Sequence, residues 1–285
     1  MTTLADTPMT AVRRPSPLVV ITKNMRINPP LWVVTALSMI GSAVALAGVW
    51  ALISLLAKDL PGPIATLKVF WEMIINPLYD NGPNDKGIGL QLFASLQRVL
   101  IGFALGSAVA IPLGILIGSN PFARRIMDPI VQILRPISPL AWFPVGLAIL
   151  HSANNATLFI VFITSLWPTV INTAFGVSSV PQTHKDVARV FKFSRWKYLT
   201  RVLLPYSMPH IFTGLRLSMG IAWLVIVAGE MLSGGTGIGF FIWDSWNALN
   251  LQRVISAILL IGIVGLALDR VFQFLVKRFS YGEVA

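Results

Sequence analysis

Six apolar stretches, at about 31–57, 90–118, 126–150, 156–180, 205–232 and 251–276, dominate the pattern along this chain. The first holds no charged residue, and none occurs between Arg135 and Lys185. At about 1.5 Å of rise per residue, such runs reach roughly 40 Å, more than a bilayer's hydrocarbon core of roughly 30 Å. Lipid offers backbone N–H and C=O groups no partner, so an open chain crosses it only as helix. The runs are continuously apolar and lack the short alternation of a membrane β-barrel. The third and fourth are separated only by His151-Ser-Ala-Asn-Asn155, which reads as a tight polar turn. The pattern predicts an all-α membrane protein with six transmembrane helices. The first run is too long for a signal peptide and is expected to remain as a helix.

The intervals between runs are also patterned. Residues 58–89 open on Leu60-Pro-Gly-Pro63, continue through Phe70, Trp71 and Ile74, and end in Asn/Gly/Pro/Asp turns. This predicts a short helix at the outer interface. Residues 233–246 are glycine-rich and then aromatic, which suits a capping turn. Phe240, Phe241, Trp243 and Trp246 are expected in an interfacial belt. In the 181–204 interval, Thr183 is placed to cap a helix with Asp186 in its first turn. Val187, Val190 and Phe191 form an apolar face, while Lys185, Arg189 and Lys192 cover the rest. Such a helix can lie on anionic lipid or fit a groove in a cytoplasmic partner.

Charge sharpens this picture. The formal net charge of +11 is compatible with nucleic-acid binding. Yet 14 of the 22 Lys and Arg residues fall in the 1–30 tail, the 119–125 turn, the 181–204 loop and the C-terminal end, against four in the opposite intervals. That bias places both termini and the 181–204 loop in the cytoplasm of an inner-membrane protein. The resulting plan is a cytoplasmic tail at 1–30, a first helix at 31–57 and a periplasmic segment at 58–89. A core at 90–276 carries the loop, and a cytoplasmic tail follows at 277–285. At 12% charged residues, the chain holds half the share of a soluble domain. It has no cysteine, and its three histidines are scattered, so no metal-ligand set is apparent. No P-loop and no nucleophile–base set occurs, which argues against an enzyme and leaves any ATP hydrolysis to another subunit. A self-contained secondary transporter or channel would be larger or visibly repeated.

Charges within the spans are the candidate functional residues. Arg98, Arg135 and Arg216 each cost at least about 2.5 kcal/mol to insert and are expected to face the interior. Arg98 and Glu230, both toward outer helix ends, are expected to pair near an outer gate. A reciprocal charge swap would test that pair. Arg135 precedes Pro136, so it either binds carbonyls freed at a helix break or lines a pathway. Arg216 has the same two readings. Thr164, Thr169, Asn172 and Thr173 either line the pathway or bond helix to helix, at about 0.6 kcal/mol each. Asp269 and Arg270 are expected to pair or snorkel near the cytoplasmic end of the last span.

The 181–204 loop resembles the EAA loop of bacterial ABC importer permeases. Asp186 falls at its acidic position, Val187 and Ala188 at the two small ones, and Val202-Leu-Leu-Pro205 at its hydrophobic-X-Leu-Pro ending. Asp stands for Glu, Val187 for Ala, and Lys192 for the glycine that usually turns the chain between two short helices. Leu134-Arg-Pro-Ile-Ser-Pro-Leu-Ala-Trp-Phe-Pro144, Gly214-Leu-Arg-Leu217 and the stretch from Ala228 to Gly239 resemble the nitrate/sulfonate/taurine branch. Gly239-Phe-Phe-Ile-Trp-Asp-Ser-Trp-Asn247 is most similar to cyanobacterial-type permeases for nitrate/nitrite and for bicarbonate.

The resemblance implies a MetI-like, type I permease fold and two copies with a path between them. It implies two cytoplasmic ATPase subunits that bind the ATP and Mg, with no cofactor in this chain, and a solute-binding protein outside. It also implies that Asp186, Val187, Ala188, Arg189, Phe191, Lys192 and Ser194 couple to the ATPase. Arg98, Arg135, Thr169, Asn172, Arg216 and Glu230 remain for the pathway or gate.

Overall fold

The computed structural model describes residues 31–57, 59–82 and 85–279. The predicted 1–30 tail and residues 280–285 of the predicted C-terminal tail lie outside the described residues. The chain divides into two units at residue 52. In the first, α1 (Leu31–Leu56) is a 26-residue helix without a charged residue.

The second unit holds the bundle. It contains α2 (Pro63–Ile75), α3 (Ile88–Ser119), α4 (Pro121–Leu134), α5 (Phe143–Leu150), α6 (Ala153–Ser178) and α7 (Gln182–Val190). The one-turn α8 (Arg195–Tyr198) follows and runs through a π-helical turn (Leu199–Leu203) into α9 (Leu204–Ser233). The last two are α10 (Ile238–Asn247) and α11 (Leu251–Phe279). The predicted outer helix is α2, and the glycine-rich interval forms a turn that leads into α10. Residues 277–279, placed in the tail by the sequence, complete α11.

α3 and α6 pack in parallel along a ladder of small residues. A Cβ on Gly102, Gly106, Gly114 or Gly118 would strike Val161, Ser165, Thr173 or Val177 respectively, each partner 59 positions further on. Ala110 lies on the same stripe and is fully buried. A small residue at every fourth position removes the side chains that would hold the two backbones apart. α9 crosses α6 in the opposite direction, with Gly214 against Asn172 and Gly229 against Ile160. Val99, Val161, Met219, Ala222, Trp223 and Ile226 fill the space among α3, α6 and α9. Trp223 Nε1 donates to the Ile261 carbonyl at 3.0 Å and ties α11 to this core.

The third span, expected over 126–150, is broken next to Pro136, where the sequence offered a helix break. α4 and the helical stretch Pro139–Leu150 meet at 93°. Pro136 and Pro139 each lack an N–H, and their rings crowd the carbonyls four residues earlier. α4 itself carries Arg124, Arg125, Asp128 and Gln132, too polar a set for a lipid-facing helix. Among the described residues, five further helices are long and apolar enough to cross a membrane. The predicted turn before the fourth span is present. His151 adopts φ 50 as the cap of α5, and the Ser152 hydroxyl accepts from Asn155 N–H to start α6.

Candidate functional site

The interval between α6 and α9 folds as a helix, a turn and a second short helix. Pro181, not Thr183, precedes the first helical residue of α7, and no side chain caps it. Pro181 presets the φ needed for helix entry and places Thr183 inside the first turn. Asp186 accepts from Gln182 Nε2 at 3.0 Å and from Arg189 at 3.2 Å, both contacts exposed. Val187, Val190 and Phe191 are 53%, 77% and 69% exposed, so the apolar face points away from the protein. Ala188 is buried and therefore supports the loop from within.

α7 ends in a Schellman turn. Phe193 N–H donates to Ala188 O, and Lys192 N–H to Arg189 O, with Lys192 in the left-handed region at φ 48. This is the position where the resemblance expects glycine, and the turn forms with lysine in its place. A left-handed conformation costs a non-glycine residue roughly 1–2 kcal/mol. Ser194 then caps α8 by accepting from Lys197 N–H, and Lys197 Nζ sits 4.3 Å from the Phe193 ring centre.

At the other end of the bundle, Arg98 and Glu230 form the expected pair, at 2.7 Å. They belong to a larger node. Arg98 also donates to Asn154 Oδ1 and to the Thr236 carbonyl, each at 2.6 Å. Glu230, fully buried, accepts from the Ser95 hydroxyl at 2.7 Å and from Gly239 N–H at 3.0 Å. Gln91 and Ser95 accept from the Gly237 and Ile238 amides. The node thus joins α3, α6, α9 and the start of α10, where a carboxylate answers the helix dipole. Gly237 has φ 155, and a Cβ there would strike the Glu230 carboxylate. Phe241 is buried below α10, while Trp243 and Trp246 are exposed, so the four predicted belt aromatics do not act as one.

Arg216 and Asp269 form a bidentate pair, Nε to Oδ1 at 2.6 Å and Nη2 to Oδ2 at 2.8 Å, between α9 and α11. Asp269 was expected beside Arg270. Adjacent residues on a helix diverge by about 100°, and α9 places Arg216 opposite Asp269 instead. The polar residues of α6 divide by role. Thr169 and Ser218 share a hydrogen bond of 2.7 Å, and Ser218 donates its proton to the Ser165 carbonyl, so Thr169 is the donor to Ser218. Thr164 and Asn172 bond within their own helix, and Thr173 Oγ1 is buried without a partner.

Arg135 ends α4 at the 93° elbow, is exposed, and has no ion pair or side-chain hydrogen bond among the described residues. It borders two cavities. One, of about 590 Å³, also touches Asp128, Gln132 and Ile171. The other, of about 290 Å³, is lined by Thr164, Trp167, Ile171 and Asn172 of α6. Among the described residues no group of His, Asp and Glu is arranged to hold a metal ion.

Sequence reasoning missed most of the node and the α3–α6 ladder. The ladder had a legible signal in the four-residue spacing of Gly102, Gly106, Ala110, Gly114 and Gly118. Gln91, Ser95 and Asn154 had none, because they meet Gly237, Glu230 and Arg98 respectively across long sequence gaps.

A bundle with a bent third span, charged ties between its helices and an exposed amphipathic loop between two spans defines a multi-pass membrane protein. The model of the family described as binding-protein-dependent transport system inner membrane component matches residues 110–281, and the chain belongs to that family. The nitrate import permease protein NrtB of Synechocystis sp. is 48% identical over 86% of this chain and 91% of its own length. The bicarbonate transport system permease protein CmpB of Synechococcus elongatus is 45% identical over 75% of this chain and 78% of its own. Among solved structures, a chain of the inward-facing MetNI methionine ABC transporter matches with a TM-score of 0.59 at 15% identity. It covers 66% of this chain and 94% of that one, and agrees in fold. The fold is all-α and MetI-like.

Proposed function

We propose that this chain is the membrane permease of an ATP-driven, binding-protein-dependent importer of nitrate or nitrite. The observation that carries the substrate is its 48% identity to a nitrate import permease across nearly that protein's whole length. Bicarbonate is the second reading, supported by the 45% identity to CmpB. Two copies of the chain pair in the inner membrane with both termini in the cytoplasm, and a solute-binding protein delivers the anion from outside. Two ATPase subunits, which carry the ATP and Mg, each grip one 181–204 loop. Their ATP-driven closure draws the loops together and turns the path from inward-facing to outward-facing.

The exposed face of Val187, Val190 and Phe191 supports the loop assignment, with Asp186, Arg189, Lys192 and Ser194 shaping it. An apolar helix face with a charged rim suits a protein groove. Uptake of labelled nitrate and bicarbonate by cells lacking only this gene tests the substrate. Loss of nitrate uptake alone supports the first reading, and loss of bicarbonate uptake alone replaces it with the second. Phe191→Asp with Asp186→Lys tests the coupling. The variant is expected to insert normally and lose its ATPase on purification; retained ATPase binding and transport would remove the coupling role.

A further inference from the structure

Of the three arginines singled out as candidates within the spans, Arg98 and Arg216 are held by carboxylates, whereas Arg135 has no ion pair among the described residues. Its surroundings are a groove. Three cavities follow one face of α6, and all three touch Ile171. From Ser178 the face runs through Phe175, Ile171 and Trp167 to Thr164, in steps of three or four residues that keep it on one side of the helix. At about 1.5 Å per residue these positions span roughly 21 Å. At the Ser178 end, Arg124 and Asp128 line the groove four residues apart, one of each charge. At the Thr164 end the lining is apolar except for Thr164 and Asn172. Arg135 lies where the two ends meet, seven residues beyond Asp128, and borders both cavities there with no ion pair among the described residues.

We infer that the Arg135 guanidinium is a transient station for a small oxyanion moving along the α6 groove. A guanidinium presents planar paired donors that match two oxygens of a nitrate-like or carbonate-like anion. The Asn172 amide, already donating to the Pro168 carbonyl at 2.8 Å, keeps a second N–H for the same anion. The cavities have room for the anion with several waters, so it is not stripped bare and can leave. This reading rests on the importer assignment for its cargo, but its electrostatic part is separable from transport.

The chain has no cysteine, so Ile171→Cys introduces its single thiol at the position common to all three cavities. Purified permease carrying that change is treated with an anionic sulfonate thiosulfonate reagent and with a cationic ammonium one. Adding Arg135→Gln is expected to lower the anionic-to-cationic rate ratio about tenfold, equivalent to about 1.4 kcal/mol. Arg135→Lys is expected to keep the ratio, and sodium nitrate to slow the anionic reagent more than sodium gluconate at equal ionic strength. In vesicles with the partner subunits, Arg135→Gln is expected to cut nitrate uptake about tenfold or more, while Arg270→Gln, outside the groove, leaves it within twofold. A thiol that reacts with neither reagent, or a ratio unchanged by Arg135→Gln, overturns the station. If wild-type vesicles import neither nitrate nor bicarbonate, the importer reading falls instead, and the reagent ratio still decides the role of Arg135.

Discussion

At the scale of single residues, the Arg98–Glu230 node and Lys192 carry the sharpest expectations. Removing one partner of a buried ion pair strands the other charge, at about 3–5 kcal/mol. Arg98→Leu or Glu230→Leu should therefore lower the thermal stability of the detergent-purified permease by several degrees or prevent its accumulation. The reciprocal swap, which a simple pair would tolerate, is expected to fail. An arginine at 230 cannot accept from the Ser95 hydroxyl and Gly239 N–H that the carboxylate serves. Recovery of wild-type stability in the swap would show that the pair alone matters. Lys192 occupies a left-handed position at φ 48. Lys192→Gly is expected to relieve about 1 kcal/mol and keep ATPase binding. Lys192→Val, β-branched and worse in that conformation, should loosen the loop. Limited proteolysis within residues 181–204 reads both changes.

At the scale of elements, the α3–α6 ladder and the elbow decide how the helices meet. A Cβ at Gly114 would lie 2.6 Å from Thr173 Cβ and 2.8 Å from the Val170 carbonyl. Gly114→Val must push two backbones apart and is expected to cost about 1–3 kcal/mol or more. Gly220 has nothing within 4 Å of an added Cβ, so Gly220→Ala should be neutral or stabilise by about 0.4–1 kcal/mol. Thermal unfolding of the two variants side by side checks the contrast, and equal behaviour would refute the ladder. The apolar periods of α3, α6, α9 and α11 were plain in the sequence because lipid rewards long apolar helices directly. Pro136 marked a break before α5, but its sharpness was not legible, because 126–150 is apolar on average. Its two prolines and the polar face of α4 matter only once a neighbouring helix lies beside them.

At the scale of the whole molecule, the assembly proposed here predicts how transport responds to energy supply. Uptake should persist when a protonophore collapses the proton gradient but ATP is maintained, and should stop when the partner ATPase is removed. The opposite result would restore a secondary transporter. The exposed Val187, Val190 and Phe191 face lies outside the packed bundle, so its disruption should uncouple transport without unfolding the spans. Disrupting the Arg216–Asp269 tie instead acts on the packing of α9 against α11.

By itself, the sequence determined that the chain crosses a membrane as helices, that the 181–204 loop is amphipathic, and which charges lie within the spans. Those properties follow from local composition and period, because lipid exclusion and helical geometry act residue by residue. Beyond the Arg98–Glu230 pair, only the tertiary structure decided which charge meets which. Asp269 meets Arg216 and not its neighbour Arg270, the Glu230 carboxylate serves three groups rather than one, and Arg135 has no ion pair among the described residues. The Arg216–Asp269 pairing across 53 positions depends on how helices cross, and no local pattern encodes that.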